Sequence, residues 1–147
     1  MEEEITNPTE NVLNGYYMNA AVGASAITSL LDTVTDRSFR RELFYQRDYY
    51  ENQKQNITSQ MAELYQIPVK QGVAAKFWTD LTIRMKKLQG MDVHEAAKLM
   101  VEGTNMGMIQ LHQVINRNPE IPEEIRQQGK KILSHEREYL DRITPYL

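Results

Sequence analysis

Two places in the sequence set polar side chains at a spacing that could do chemistry. "QRDY" puts Gln46 three residues before Tyr49, and "EREY" puts Glu136 three residues before Tyr139. On a helix, residues three apart share a face, so each pair can point at one spot. Asn19 and Asn105 stand near the middle of two further apolar patterns. Converging carboxylate, amide and phenol groups can do two things. They can hold a small ligand or a cation, or they can satisfy one another as a buried hydrogen-bond cluster. His135 lies next to Glu136 in "LSHEREYL", which raises the question of a metal site.

The elements that must position these groups follow from hydrophobic period. Val12, Tyr16, Asn19, Gly23, Ala26 and Leu30 recur at spacings of three and four and predict a helix over 9–33. Phe39, Leu43, Gln46, Tyr50, Gln53, Ile57, Met61 and Leu64 predict a second over 36–66. It ends there because Ile67 precedes Pro68 and is driven from the helical region. Phe77, Leu81, Met85 and Leu88 predict a short helix over 72–88, stopped by Gly90. Asp92 with Glu95 gives a cap-like start to a helix over 92–117, whose inner stripe is Ala97, Met100, Val101, Thr104, Met108, Leu111 and Ile115. Pro122 suits the first position of a last helix over 122–144, with Ile125, Ile132, Glu136, Tyr139, Leu140 and Ile143 inside. No segment reads as a strand.

The whole chain, 1–147, is therefore expected to be one all-α domain. Short turns make the first two helices one antiparallel hairpin and the last two another. A long crossover with its own short helix joins the hairpins. An up-down bundle with an inserted fifth helix is the alternative.

Composition narrows the function classes. A net charge of −3 does not supply the basic face of a nucleic-acid binder. The absence of cysteine removes disulfides, thiolate metal sites and thiol nucleophiles. The acidic start "MEEEITNPTEN" is unlike a secretory signal, and no apolar run approaches the about 20 residues of a membrane span. A cytoplasmic protein is expected. "HEAAK" at 94–98 begins like a zinc-protease motif but ends in Lys98 rather than a histidine. No Gly-rich phosphate loop or nucleophile elbow is present.

Two hairpins joined by one long crossover, with polar residues at the middle of each long helix, resemble the ferritin-like four-helix bundles. The resemblance covers residues 9–145 as topology and is similar to small, uncharacterised bacterial members. That family's di-iron proteins take one Glu from each of two helices and Glu-x-x-His from each of the other two. Here "QRDY" and "EREY" stand at the two Glu-x-x-His places, and Asn19 and Asn105 stand at the single glutamates. Only Glu136 keeps a carboxylate, whereas hard cations want several anionic oxygens.

The expected site is thus a degenerate di-iron centre made of Asn19, Gln46, Tyr49, Asn105, Glu136 and Tyr139, with no catalytic residue, no cofactor, and Glu136 as the weak candidate ligand for iron or manganese. A non-catalytic structural or interaction role follows, with small-ligand or single-metal binding as the alternative and a di-metal oxidase behind it. His135 is expected at the surface or boundary, because neighbours on a helix diverge by about 100°.

Small residues in "NAAVGASA" and "GTNMG" imply either a tight crossing of the first and fourth predicted helices around Gly23, Gly103 and Gly107, or a cavity. Met100, Met106 and Met108 are read as core filling. Aromatics on several faces of "FYQRDYY" suggest a homodimer surface, with exposed tyrosine as the plain alternative. The segment from Lys70 to Leu88 carries five basic residues against Asp80. It is read as capping the bundle, with a membrane- or partner-facing helix as the other reading.

Overall fold

The computed structural model describes residues 7–65 and 92–147. Within them the chain is all-helical, with four long helices: α1 (Pro8–Leu31), α2 (Arg37–Tyr65), α3 (Val93–Arg117) and α4 (Glu123–Ile143). A 3-10 turn, Thr144–Tyr146, follows. The helix predicted over 72–88 lies outside the described residues. The ends differ from the sequence-based ones by at most two residues. Pro122 is one such case, standing just before α4 with an extended backbone rather than inside it.

Local chemistry sets these ends. The Asn7 side chain accepts from the Thr9 amide at 2.9 Å, and Pro8 needs no amide partner at the first position of α1. Asp36 accepts from the Phe39 amide at 2.9 Å, and Asp92 from the Glu95 amide at 2.9 Å. Arg40 of α2 reaches back to the carbonyls of Leu31 and Val34, at 2.5 and 2.7 Å, and covers carbonyls that the end of α1 leaves bare. Asp36→Ala is expected to lower stability by about 1 kcal/mol, read as a lower urea midpoint at unchanged slope.

Pairings between helices give their directions. Asn11 meets Asn118 and Asn19 meets Gly107, so α1 and α3 are antiparallel. Gln60 pairs with Gln128 through both amides, at 3.2 and 3.0 Å, and Arg142 bonds Glu42 at 2.9 Å, so α2 and α4 are antiparallel. The short turns make α1/α2 and α3/α4 antiparallel as well. It follows that α2 and α3 run the same way, and that α2 ends and α3 begins at opposite ends of the bundle.

The core falls into two apolar clusters. One gathers Val12, Leu13, Tyr16, Ile57, Leu111, Ile125 and Ile132. The other gathers Ile27, Leu30, Phe39, Leu43, Tyr50, Met100, Tyr139 and Ile143. Buried polar residues fall where one gives way to the other: Thr104 between Met100 and Leu111, and Glu136 between Leu133 and Tyr139. Leu64, expected on the inner stripe of α2, is 54% exposed, so the buried stripe among the described residues reaches Met61.

Candidate functional site

Glu136 is the centre of the polar cluster, with 1% of its surface exposed. Its Oε1 accepts from Asn19 Nδ2 of α1 at 3.3 Å. Its Oε2 accepts from Gln46 Nε2 at 3.3 Å and from the Tyr50 hydroxyl at 2.9 Å, both on α2. One carboxyl on α4 thus ties together three helices through neutral donors. Among the described residues no cation pairs with it. Burial pushes its pKa up from 4.5 to about 7, against the opposing pull of the hydrogen bonds from Tyr50 and Asn19.

The cluster has a second layer. The Gln46 amide nitrogen donates to Glu136, so its Oε1 is left to accept, and His135 Nε2 stands 2.9 Å from it. His135 therefore carries its proton on Nε2. Its ring is half-buried and stacks on Tyr49, with centroids 3.4 Å apart. Burial lowers the His135 pKa below 6.5, helped by Arg142 and opposed by Glu138. His135 was expected at the boundary and lies there, but as a donor into the cluster.

The expected site residues separate into two groups. Asn19, Gln46 and Glu136 come together. Tyr49 does not reach Glu136; its hydroxyl accepts from Gln53 at 2.8 Å, and Tyr50 takes the place assigned to it. Gln46 and Tyr50 are four apart and share the inward face, whereas Tyr49 is turned aside by about 100°. Asn105 is exposed, and its neighbour Thr104 is the buried polar residue of α3. The same one-residue phase difference is responsible. Tyr139 is fully buried, as its apolar stripe requires, but its hydroxyl has no hydrogen-bond partner among the described residues, nor has that of Thr104. Burial raises the Tyr139 phenol, and nearby Glu136 adds to this.

Glycines shape the centre. A methyl on Gly23 would stand 2.8 Å from Cζ of the Tyr50 ring, and one on Gly107 would collide with Asn19 Oδ1. Gly107 thus supports the expected close approach of α1 and α3. Gly23 does not: it makes room for an aromatic ring from α2. The Tyr50 hydroxyl is tethered to Glu136, so the ring has little freedom to retreat. Gly23→Ala is expected to cost about 2 kcal/mol despite alanine's better helix propensity. Thermal unfolding at fixed pH measures this.

A groove of about 370 Å³ runs between α1 and α3, lined in part by Asn14, Met18, Asn19, Gln110 and Arg117. Asn19 faces it while donating to Glu136. Among the described residues, no three His, Asp or Glu side chains gather where one ion could bind them. His112 is exposed, and His94 Nδ1 lies 2.8 Å from the carbonyl of Tyr146. Among the described residues no helix is long and apolar enough to cross a membrane. No family model, no curated protein and no solved structure matches this chain.

Proposed function

We propose that the chain is a cytoplasmic, ferritin-like bundle whose polar centre is a metal-free structural hub, and that it works through contacts with other proteins rather than by catalysis. The parallel course of α2 and α3 supports the ferritin-like reading, since that architecture has one long crossover between its hairpins. The observation that carries the functional reading is the state of Glu136. Both its oxygens already accept hydrogens from Asn19, Gln46 and Tyr50. A cation at those oxygens would face amide hydrogens and have one carboxylate to balance it. The residues present do not fit a di-iron centre, and no oxidase step is derived through one.

Anaerobic loading with Fe(II) or Mn(II), followed by desalting and elemental analysis, tests this reading. Less than a tenth of an equivalent per chain is expected. Two equivalents would restore the oxidase reading, and one equivalent lost in Glu136→Gln would make Glu136 a ligand.

A second reading, binding of a small uncharged polar molecule, is favoured by the α1/α3 groove, which Asn19 and Gln110 line with amide groups. Asn19→Ala would then change ligand affinity, whereas in the hub reading it changes stability alone.

A further inference from the structure

The inner face of α2 carries Phe39, Leu43, Gln46, Tyr50, Ile57 and Met61. At about 100° per residue, Arg37, Arg41, Phe44, Tyr45, Asp48 and Glu51 fall on the opposite side. All six are exposed, Phe44 by 40% and Tyr45 by 55%. Their order is basic, aromatic, acidic. Neither Arg41 nor Asp48 has an ion-pair or hydrogen-bond partner among the described residues. Glu51 shares its charge with Lys54 at 3.3 Å.

The two aromatic rings are held in place. Arg40 and Arg47 lie over the Phe44 ring at 5.6 and 5.0 Å, and Arg142 lies over the Tyr45 ring at 4.7 Å. Ordered aromatic side chains lose little freedom when they are covered, which suits them to an interface.

We propose that this face pairs with the same face of a second copy of the chain, with the two α2 helices antiparallel and the dyad between Phe44 and Tyr45. The sequence dictates this register. A two-fold axis there sets Phe44 against the partner's Tyr45, and Arg41 against the partner's Asp48, twice by symmetry. Arg37 falls near the partner's Glu51. A parallel pairing would set arginine against arginine and acid against acid. The occupant is therefore a second copy: the stripe is complementary to itself when reversed, and a solvated face has no need to segregate its charges about two aromatics.

The inference does not rest on the hub reading: none of the six residues on this face hydrogen-bonds to Glu136, and the face meets the cluster where the Tyr45 ring stacks on His135 with centroids 6.2 Å apart. Sedimentation equilibrium of the full chain is expected to give a dimer that weakens as salt rises. Arg41→Asp and Asp48→Arg, each confirmed as folded by circular dichroism, are each expected to weaken self-association at least about tenfold. Mixed together, the two variants are expected to form a heterodimer of near wild-type affinity, because every reversed charge then meets its opposite. A monomeric wild-type chain overturns the proposal. So do single variants that dimerise normally, or weakened variants that fail to rescue each other.

Discussion

Glu136→Leu is expected to lower stability by about 4 kcal/mol at pH 5, and Glu136→Gln by about 1 kcal/mol or less. Leucine removes the acceptor that Asn19, Gln46 and Tyr50 share. Gln46 and Tyr50 are buried, at 0% and 2% exposure, so water does not replace it for them. Each stranded buried donor costs roughly 1–3 kcal/mol. Asn19 is half-buried beside the groove and recovers part of its loss from solvent. Glutamine keeps one oxygen for Gln46 and Tyr50, and its nitrogen meets Asn19 if that amide turns over. Urea titrations at pH 5 measure both values. Equal losses in the two variants would mean that the donors do not depend on Glu136.

The second large effect is on pH dependence. In the fold the Glu136 carboxyl titrates at about 7, against an ordinary value of 4.5. Between those values the folded state keeps a proton that the unfolded chain has released. The stabilisation is therefore complete below about pH 4.5, is lost as pH rises to 7, and is level above that. At about 1.4 kcal/mol per pH unit, the loss is on the order of 3 kcal/mol. His135 works in the other direction. Its pKa is lowered on folding, so its contribution is present above 6.5 and is lost as pH falls through the folded value. The difference between wild type and Glu136→Gln removes the histidine and all unrelated carboxylates. That difference is expected to shift by about 3 kcal/mol between pH 4.5 and pH 8, with glutamine gaining relative to wild type at the higher pH. By the same linkage, Glu136→Leu costs only about 1 kcal/mol at pH 8, because the penalty for burying the anion disappears with the carboxyl. A pH-independent difference would show that Glu136 is solvated.

Much of this centre was legible in the sequence. The three-and-four spacing placed Asn19, Gln46 and Glu136 on inward stripes, and the structure brings these three together. The inward stripes already held Tyr50 and Thr104, which are buried; what failed was the choice of their neighbours Tyr49 and Asn105 as site residues. Tyr49 and Tyr50 are chemically identical, and only the four-residue step from Gln46 separates the donor from its neighbour. Thr104 and Asn105 are both short and polar, and the inward stripe from Met100 to Leu111 selects the threonine. Gly23 looked like a backbone contact with α3, but its neighbour is the Tyr50 ring, and a missing side chain does not announce what fills its place. His135 showed no signal as a donor, because its partner is the far oxygen of an amide on another helix.

In the hub reading proposed above, Glu136 is a buried carboxyl held by neutral donors and closed to cations. Its own titration tests this most directly. In ¹³C-labelled protein, the Glu136 side-chain carboxyl resonance can be assigned by its loss in Glu136→Gln and followed from pH 4 to 9, with and without equimolar Zn(II). A midpoint near 7 and the same curve in both samples are expected. A midpoint near 4.5, or a curve that zinc displaces, would contradict the hub reading.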